Sequence, residues 1–228
     1  SVADLVATVD GHLTEGYTAV KLKLAPGADL DRVQAVRAHA GDEVALAADA
    51  NGSYTVDDLD HLSGLERFGL DFLEQPLPSG DLLGHAHLAS VLDTPVALDE
   101  SITSVATALT ALELGAASVL CVKPARVGGL AEAVRIHDLA VERGVPVWCG
   151  GMLETGVGRA ASLGFASMPG CRLPADLSAS SRYVARDVTR PFELVDGTLA
   201  VPDGPGLGVT PDPDDLARFT RRVQRVDG

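Results

Sequence analysis

Five charged residues, Lys23, Asp49, Glu74, Asp99 and Lys123, each close a short apolar run, and the gaps between them are 26, 25, 25 and 24 residues. Spacing this even demands a repeated structural unit. In most units a polar segment ends in glycine and an apolar run follows. Gly16 precedes YTAVKLKLA, Gly41 precedes DEVALAADAN, Gly69 precedes LDFLEQP, Gly115 precedes AASVLCVKP and Gly144 precedes VPVWCGG. The unit VLDTPVALDES differs and enters its run through Pro95. Glycine just past a helix end takes the left-handed conformation without strain, so each of these glycines marks a helix stop.

The polar segments have helical periodicity. Val2, Leu5, Val6, Val9 and Leu13 follow it in the first, with Ser1 as the N-cap. Similar spacing predicts helices over 29–40, 55–67, 81–92, 103–114, 130–143 and 156–167. The apolar runs predict six strands, at 19–24, 44–49, 70–74, 96–99, 118–122 and 146–150, and a weaker seventh near 171–176. They are continuous rather than alternating, which suits parallel strands buried on both faces. Helices alternating with such strands predict a parallel α/β architecture with right-handed crossovers. A TIM-type barrel has eight strands and normally opens on one, whereas this chain opens on a helix. A strand is therefore expected in front of Ser1, in a trimmed chain or a piece of a longer one. An open doubly wound sheet is the rival fold, but no Gly-rich phosphate fingerprint follows any strand. Residues 1–200 are expected to form the incomplete barrel, and 201–228 an extended tail with a short helix near 213–224. A barrel short of one strand has two unpaired edges. The piece alone is thus expected to be poorly soluble or completed by another chain.

Composition narrows the function. A formal net charge of −14 argues against nucleic acid and against an anionic membrane surface as partners. No apolar run approaches the ~20 residues of a membrane span, and no secretory signal opens the chain. Of the three cysteines, Cys121 and Cys149 lie in apolar runs and none has CxxC spacing. They read as reduced, mostly buried thiols of a cytoplasmic protein. The chain has 15 arginines and only three lysines, and all three lysines, Lys21, Lys23 and Lys123, sit in or at the end of predicted strands.

The C-terminal ends of the strands are where barrel enzymes place catalysis. Asp49, Glu74 and Asp99 end three successive strands, and three converging carboxylates in a dry barrel mouth repel one another. A divalent cation resolves that, and hard oxygen donors suit Mg²⁺, for which Mn²⁺ or another divalent ion can substitute. Taken singly, each residue admits a simpler role: a helix cap or turn for an Asp, a snorkelling stem for a Lys, a GC-rich coding bias for scarce lysine. None of these roles accounts for five charges in phase with five strands.

The segments KLK (21–23), DAN (49–51), EQP (74–76), DES (99–101), KPARVGG (123–129) and GGMLETGVGRA (150–160) together resemble the enolase superfamily, muconate-lactonizing subgroup. WCGGMLETGVGRA and LPADLSASSRY most resemble its o-succinylbenzoate synthase/N-succinylamino acid racemase family. The likeness runs from about residue 13 to residue 211. It implies a (β/α)₇β barrel beneath an N-terminal capping domain, here without that domain and the first strand. It also implies a small-molecule carboxylate as substrate and a homo-oligomer. The activity it implies is syn dehydration to o-succinylbenzoate in menaquinone biosynthesis, racemisation of N-succinylamino acids, or both. A dipeptide epimerase or cycloisomerase shares all five charges. The SAS at 178–180 stands where epimerases tend to carry paired aspartates, which turns the resemblance away from the first. A Schiff-base aldolase using Lys23 or Lys123, and a catalytically silent capless barrel serving as a binding module, are the remaining alternatives.

By this resemblance Asp49, Glu74 and Asp99 hold the metal, Lys23 removes the α-proton, and Lys123 stabilises the enolate or works on its opposite face. An acid–base lysine must be neutral when it acts, which an ordinary lysine at pH 7 is not. Residues i and i+2 of a strand share a side, about 6.6 Å apart, and two ammonium groups at that distance repel by roughly 2–3 kcal/mol at an effective dielectric near 20. Lys21, one layer deeper, is thus expected to stay charged and lower the pKa of Lys23, and Arg126 to act likewise on Lys123. Asn51 and Glu100 follow metal ligands and are candidate supporting groups, with capping and turn roles as the alternative. Gly151, Met152 and Leu153, after Gly150, are candidate substrate contacts. A tight strand-to-helix turn explains the glycines equally well.

Overall fold

The computed structural model describes residues 1–225. Six strands form one parallel sheet in sequence order: β1 (Ala19–Lys23), β2 (Ala45–Asp49), β3 (Leu73–Glu74), β4 (Val96–Leu98), β5 (Val119–Val122) and β6 (Val147–Cys149). The sheet curls into part of a TIM-like barrel. The crossover helices are α1 (Val2–Thr14), α2 (Leu30–Ala40), α3 (Leu59–Ser63), α4 (Leu82–Val91), α5 (Val105–Glu113), α6 (Pro124–Val127), α7 (Leu130–Glu142) and α8 (Gly156–Ala166), and α9 (Pro213–Phe219) lies in the tail. Ser1 caps α1 with a reciprocal Ser1–Asp4 capping box, as its position predicts.

The strands from β2 to β6 separate two cores, whereas β1 at the edge buries only Leu22. The larger lies between strands and helices and includes Leu22, Leu46, Leu73, Leu98, Leu120 and Val147. The smaller fills the inside of the curl with Ala47, Phe72, Ala97, Val119, Cys121 and Trp148. Side chains alternate along a strand, so Asp49, Glu74, Asp99 and Lys123 stand on the same inner face, two residues above Ala47, Phe72, Ala97 and Cys121. Strand register keeps the ends level: Lys23 pairs with Asp49, and Asp49 with Glu74.

Three expectations are corrected. The segment 55–67 is a 3₁₀ turn (Val56–Asp58), the short α3 and a second 3₁₀ turn (Glu66–Phe68), because Gly64 ends α3 after only five residues. The weaker seventh strand reduces to a bridge from Cys171 to Val147 plus Arg172 N–H to Val147 O and Asp176 N–H to Cys149 O. Pro174 supplies no N–H, so the ladder between those two bonds is not continuous. The tail helix ends at Phe219, where Thr220 turns to extended backbone. Among the described residues no strand pairs with the far edge of β1. Beside it opens a cavity of about 630 Å³ whose walls include Leu5, Val9, Lys21, Trp148, Asp176 and Leu199.

Candidate active site at the strand ends

The sequence-predicted charges meet at the C-terminal end of the sheet. Asp49, Glu74 and Asp99 are almost wholly buried. Lys21 and Lys123 are largely buried too, while the Lys23 side chain is 65% exposed. Two lysine clusters flank the carboxylates. On one side Lys23 Nζ lies 2.5 Å from Asp49 Oδ2, and Lys21 Nζ lies 2.8 Å from Glu74 Oε2. On the other side Lys123 Nζ lies 2.7 Å from Asp99 Oδ2, and the Arg126 guanidinium also contacts both oxygens of Asp99.

Asn51 and Glu100 join the first cluster. Lys23 donates to Asn51 Oδ1 at 2.9 Å, and Asn51 Nδ2 donates to Glu100 Oε1 at 2.9 Å. The Asn51 backbone N–H donates to Asp49 Oδ1 at 3.0 Å, which holds that carboxylate's orientation. Asn51 and Gln75 both have positive φ, 45° and 41°, in a chain where only three non-glycine residues do among those described. Such strain costs on the order of 1–3 kcal/mol and tends to gather where geometry serves function.

Strand-end spacing assigns Gln75 no role, yet it is fully buried. Its Oε1 accepts from the Asp99 and Ser101 N–H groups, which fixes the backbone that carries Asp99. Two further neighbours escape the strand-end rule. Cys121, one layer down on β5, brings its sulfur within 4.8 Å of oxygens of Glu74 and Asp99. Asp176, after β6, places Oδ2 2.9 Å from Lys21 Nζ. Its position past a broken strand gives no periodic signal.

The donor set fits a hard divalent cation. Glu74 Oε1 is buried without a hydrogen-bond partner. Burial, reinforced by Asp49 and Asp99, pushes the Glu74 carboxyl up to about 8 despite Lys21 beside it. The cost of ionising this cluster is what a bound cation would relieve. Burial raises the Cys121 thiol well above its ordinary range, so it stays protonated and leaves the oxygens as donors. Asp49 stands outside the closest group, its oxygens taken by Asn51 and the lysines.

The electrostatics at Lys123 depart from expectation. Burial works against the Lys123 ammonium, but contact with Asp99 outweighs it and Arg126 together, so its pKa lies above the usual lysine value. Lys21 is also raised: Glu74, Asp176 and Asp49 overcome its burial. Each ammonium sits against carboxylates, and that attraction overrides the lowering by Arg126 expected at Lys123.

The turn after β6 carries Gly150, Gly151, Met152 and Leu153, with Met152 and Leu153 exposed. A side chain on Gly151 would overlap the Asp176 carbonyl oxygen, and one on Gly150 would overlap the Lys123 stem and lie 2.6 Å from Cys121 Sγ. Close approach, then, is what demands glycine here. Gly150→Ala is expected to destabilise the fold by about 1–3 kcal/mol through overpacking. A denaturant melt that matched the parent would show that Lys123 moves aside freely.

Comparison with known proteins points one way. The family described as enolase C-terminal domain-like matches residues 4–215. An N-succinylamino acid racemase of Amycolatopsis sp. is 50% identical over 220 residues, covering 96% of this chain and 60% of the relative. An o-succinylbenzoate synthase of Geobacillus stearothermophilus is 46% identical over 222 residues, covering 97% and 59%. The crystal structure of an enolase superfamily member from Listeria innocua superposes with a TM-score of 0.94 at 39% identity, covering 97% of this chain and 60% of that one. The chain thus spans about three fifths of the length of the curated relatives it matches.

Proposed function

This chain belongs to the enolase superfamily, and from that premise we propose that it removes the proton α to a carboxylate of a small-molecule substrate and passes through an enolate. The reaction is that of an o-succinylbenzoate synthase, an N-succinylamino acid racemase, or both. One observation carries this: two lysine clusters, on β1 and at the end of β5, flank carboxylates from the three strands between them.

Asp49, Glu74 and Asp99 would hold Mg²⁺, or Mn²⁺ in its place, whose Lewis acidity would stabilise charge developing on the substrate carboxylate. The rest falls to the chain's own groups. The Lys23 lone pair takes the α-proton, and the C–H electrons move into the enolate. In the dehydration, the enolate electrons expel the β-hydroxyl as the C–O bond breaks, and the Lys23 ammonium returns its proton to the departing oxygen. Leaving group and proton depart from the same face. In the racemisation, the Lys123 ammonium delivers a proton to the opposite face of the same carbon. Arginine cannot replace either lysine, because it does not release its proton. Carboxylates committed to a cation hold these ammonium groups less strongly, which brings the lysines toward neutrality. Asn51 orients Lys23, Arg126 shares Asp99 with Lys123, and the Gly151–Leu153 turn offers backbone to the substrate.

Residues 1–200 form the barrel part, and a further domain covers its mouth in the full-length protein. Homo-oligomeric assembly and a cytoplasmic location complete the proposal; among the described residues no helix is long and apolar enough to cross a membrane. The test is proton NMR in D₂O with an N-succinyl-L-amino acid and Mg²⁺, with and without a chelator. Loss of the α-proton signal that stops with the chelator is the expected result. A full-length protein that neither exchanges this proton nor dehydrates the synthase substrate would overturn the proposal.

A further inference from the structure

Lys21 lies inside the site, but the proposed chemistry leaves open what keeps it from interfering with Lys23. Both ammonium groups face one atom, Asp49 Oδ2: Lys23 at 2.5 Å and Lys21 at 3.5 Å. Lys21 is held short of that oxygen by two other carboxylates, Glu74 Oε2 at 2.8 Å and Asp176 Oδ2 at 2.9 Å, with the Trp148 ring 4.5 Å below. Glu74 is a proposed cation ligand, so its hold on Lys21 weakens when it is engaged elsewhere. Asp176 has no such commitment.

The Asp176 backbone is itself well anchored. Its N–H donates to Cys149 O at the end of β6, and its carbonyl oxygen packs so closely on Gly151 that no side chain fits there. The next turn is clamped as well, because the buried Arg159 donates to Ser178 O. The carboxylate therefore reaches Lys21 from a fixed support.

We propose that Asp176 is a positioning residue that keeps Lys21 off the Asp49 oxygen used by Lys23. This rests on Lys23 being the base of the proposed reaction. Without the Asp176 charge, the Lys21 ammonium closes on Asp49 Oδ2 and competes for the contact that aims Lys23 at the substrate. Catalysis then suffers through geometry while substrate binding changes little.

The chain offers an unusually clean readout, since its three lysines are all in the site. Selective ¹⁵Nζ labelling of lysine yields one signal per residue, assigned by single substitutions. In Asp176→Asn the Lys21 and Lys23 signals are expected to move together while Lys123 stays, and Asp176→Glu is expected to restore the parent positions in large part. In the α-proton exchange assay on the full-length protein, Asp176→Asn is expected to lower kcat between about 10- and 100-fold with KM within about threefold, the usual scale for a misplaced catalytic group. Asp176→Glu is expected to recover most of that loss. A Lys23 signal unmoved in Asp176→Asn, or a kcat equal to the parent's, would overturn the proposal. A parent protein with no exchange at all would overturn the enolate chemistry instead, and the lysine spectrum would still decide whether Asp176 sets the place of Lys21.

Discussion

Lys123→Ala is expected to abolish racemisation while one enantiomer of the substrate still exchanges its α-proton with solvent. Racemisation needs a proton donor on each face of the carbon. In the proposed reaction Lys123 Nζ is the acid on its side, and its neighbour Arg126 cannot give up a proton. Loss of a positioned acid or base costs about 10²- to 10⁴-fold, which takes racemisation below easy detection. Lys23, 2.5 Å from Asp49 on the opposite side, remains able to take and return a proton on its own face. Chiral chromatography together with exchange in D₂O separates the two effects. A Lys123→Ala protein that still racemises would refute the two-base assignment. Lys23→Ala is expected to show the mirror pattern.

Divalent-cation affinity is expected to rise by about tenfold per pH unit between pH 6 and pH 8 and then level off, since each ion bound displaces one proton. The group responsible is Glu74, which burial and its carboxylate neighbours raise from 4.5 to about 8. Below that value the cation-free site keeps the Glu74 proton. Calorimetry in buffers of different ionisation enthalpy should detect close to one proton released per ion at pH 7, and an affinity flat across this range would exclude Glu74 as a ligand. The linkage also sets a stability trend. A carboxyl with its folded pKa above its unfolded value favours the fold fully below about 4.5, and that contribution is lost as pH rises through about 8. The cation-free protein should therefore melt lower at pH 8 than at pH 5 as far as this group is concerned, with added Mg²⁺ reversing the trend. Glu74→Gln should remove both dependences and weaken the cation by at least about 100-fold, beyond what loss of a supporting contact costs.

Most of the scaffold was legible because local rules govern it. Helix stops at Gly41, Gly69 and Gly115 have the positive φ that only glycine takes freely, and the charged residues fall where strand alternation points them inward. Legibility failed where local signals were weak. Gly64 broke a segment that reads as one helix, and the strand read at 70–74 does end in Glu74 but pairs only over Leu73–Glu74. Residues 171–176 read as a strand but make only scattered ladder bonds.

The site shows the same division. Types and spacing alone were enough to mark Lys23, Asp49, Glu74, Asp99 and Lys123, because a barrel delivers one strand end per repeat to a common mouth. Their partners lay beyond that logic. Lys21 could be placed on the inner face, but its contacts with Glu74, 53 residues on, and with Asp176 depend on the curl of the sheet. Curl also brings the Cys121 sulfur beside Glu74 and Asp99, and it sets Asp176 against Gly151. A strand spacing shows that Lys21 and Lys23 share a side; the carboxylates that hold the Lys21 ammonium come from distant segments. Periodicity along the chain thus established which groups reach the mouth, and folding in three dimensions established which of them touch, since the ion pairs that tune each charge join segments with no shared local pattern.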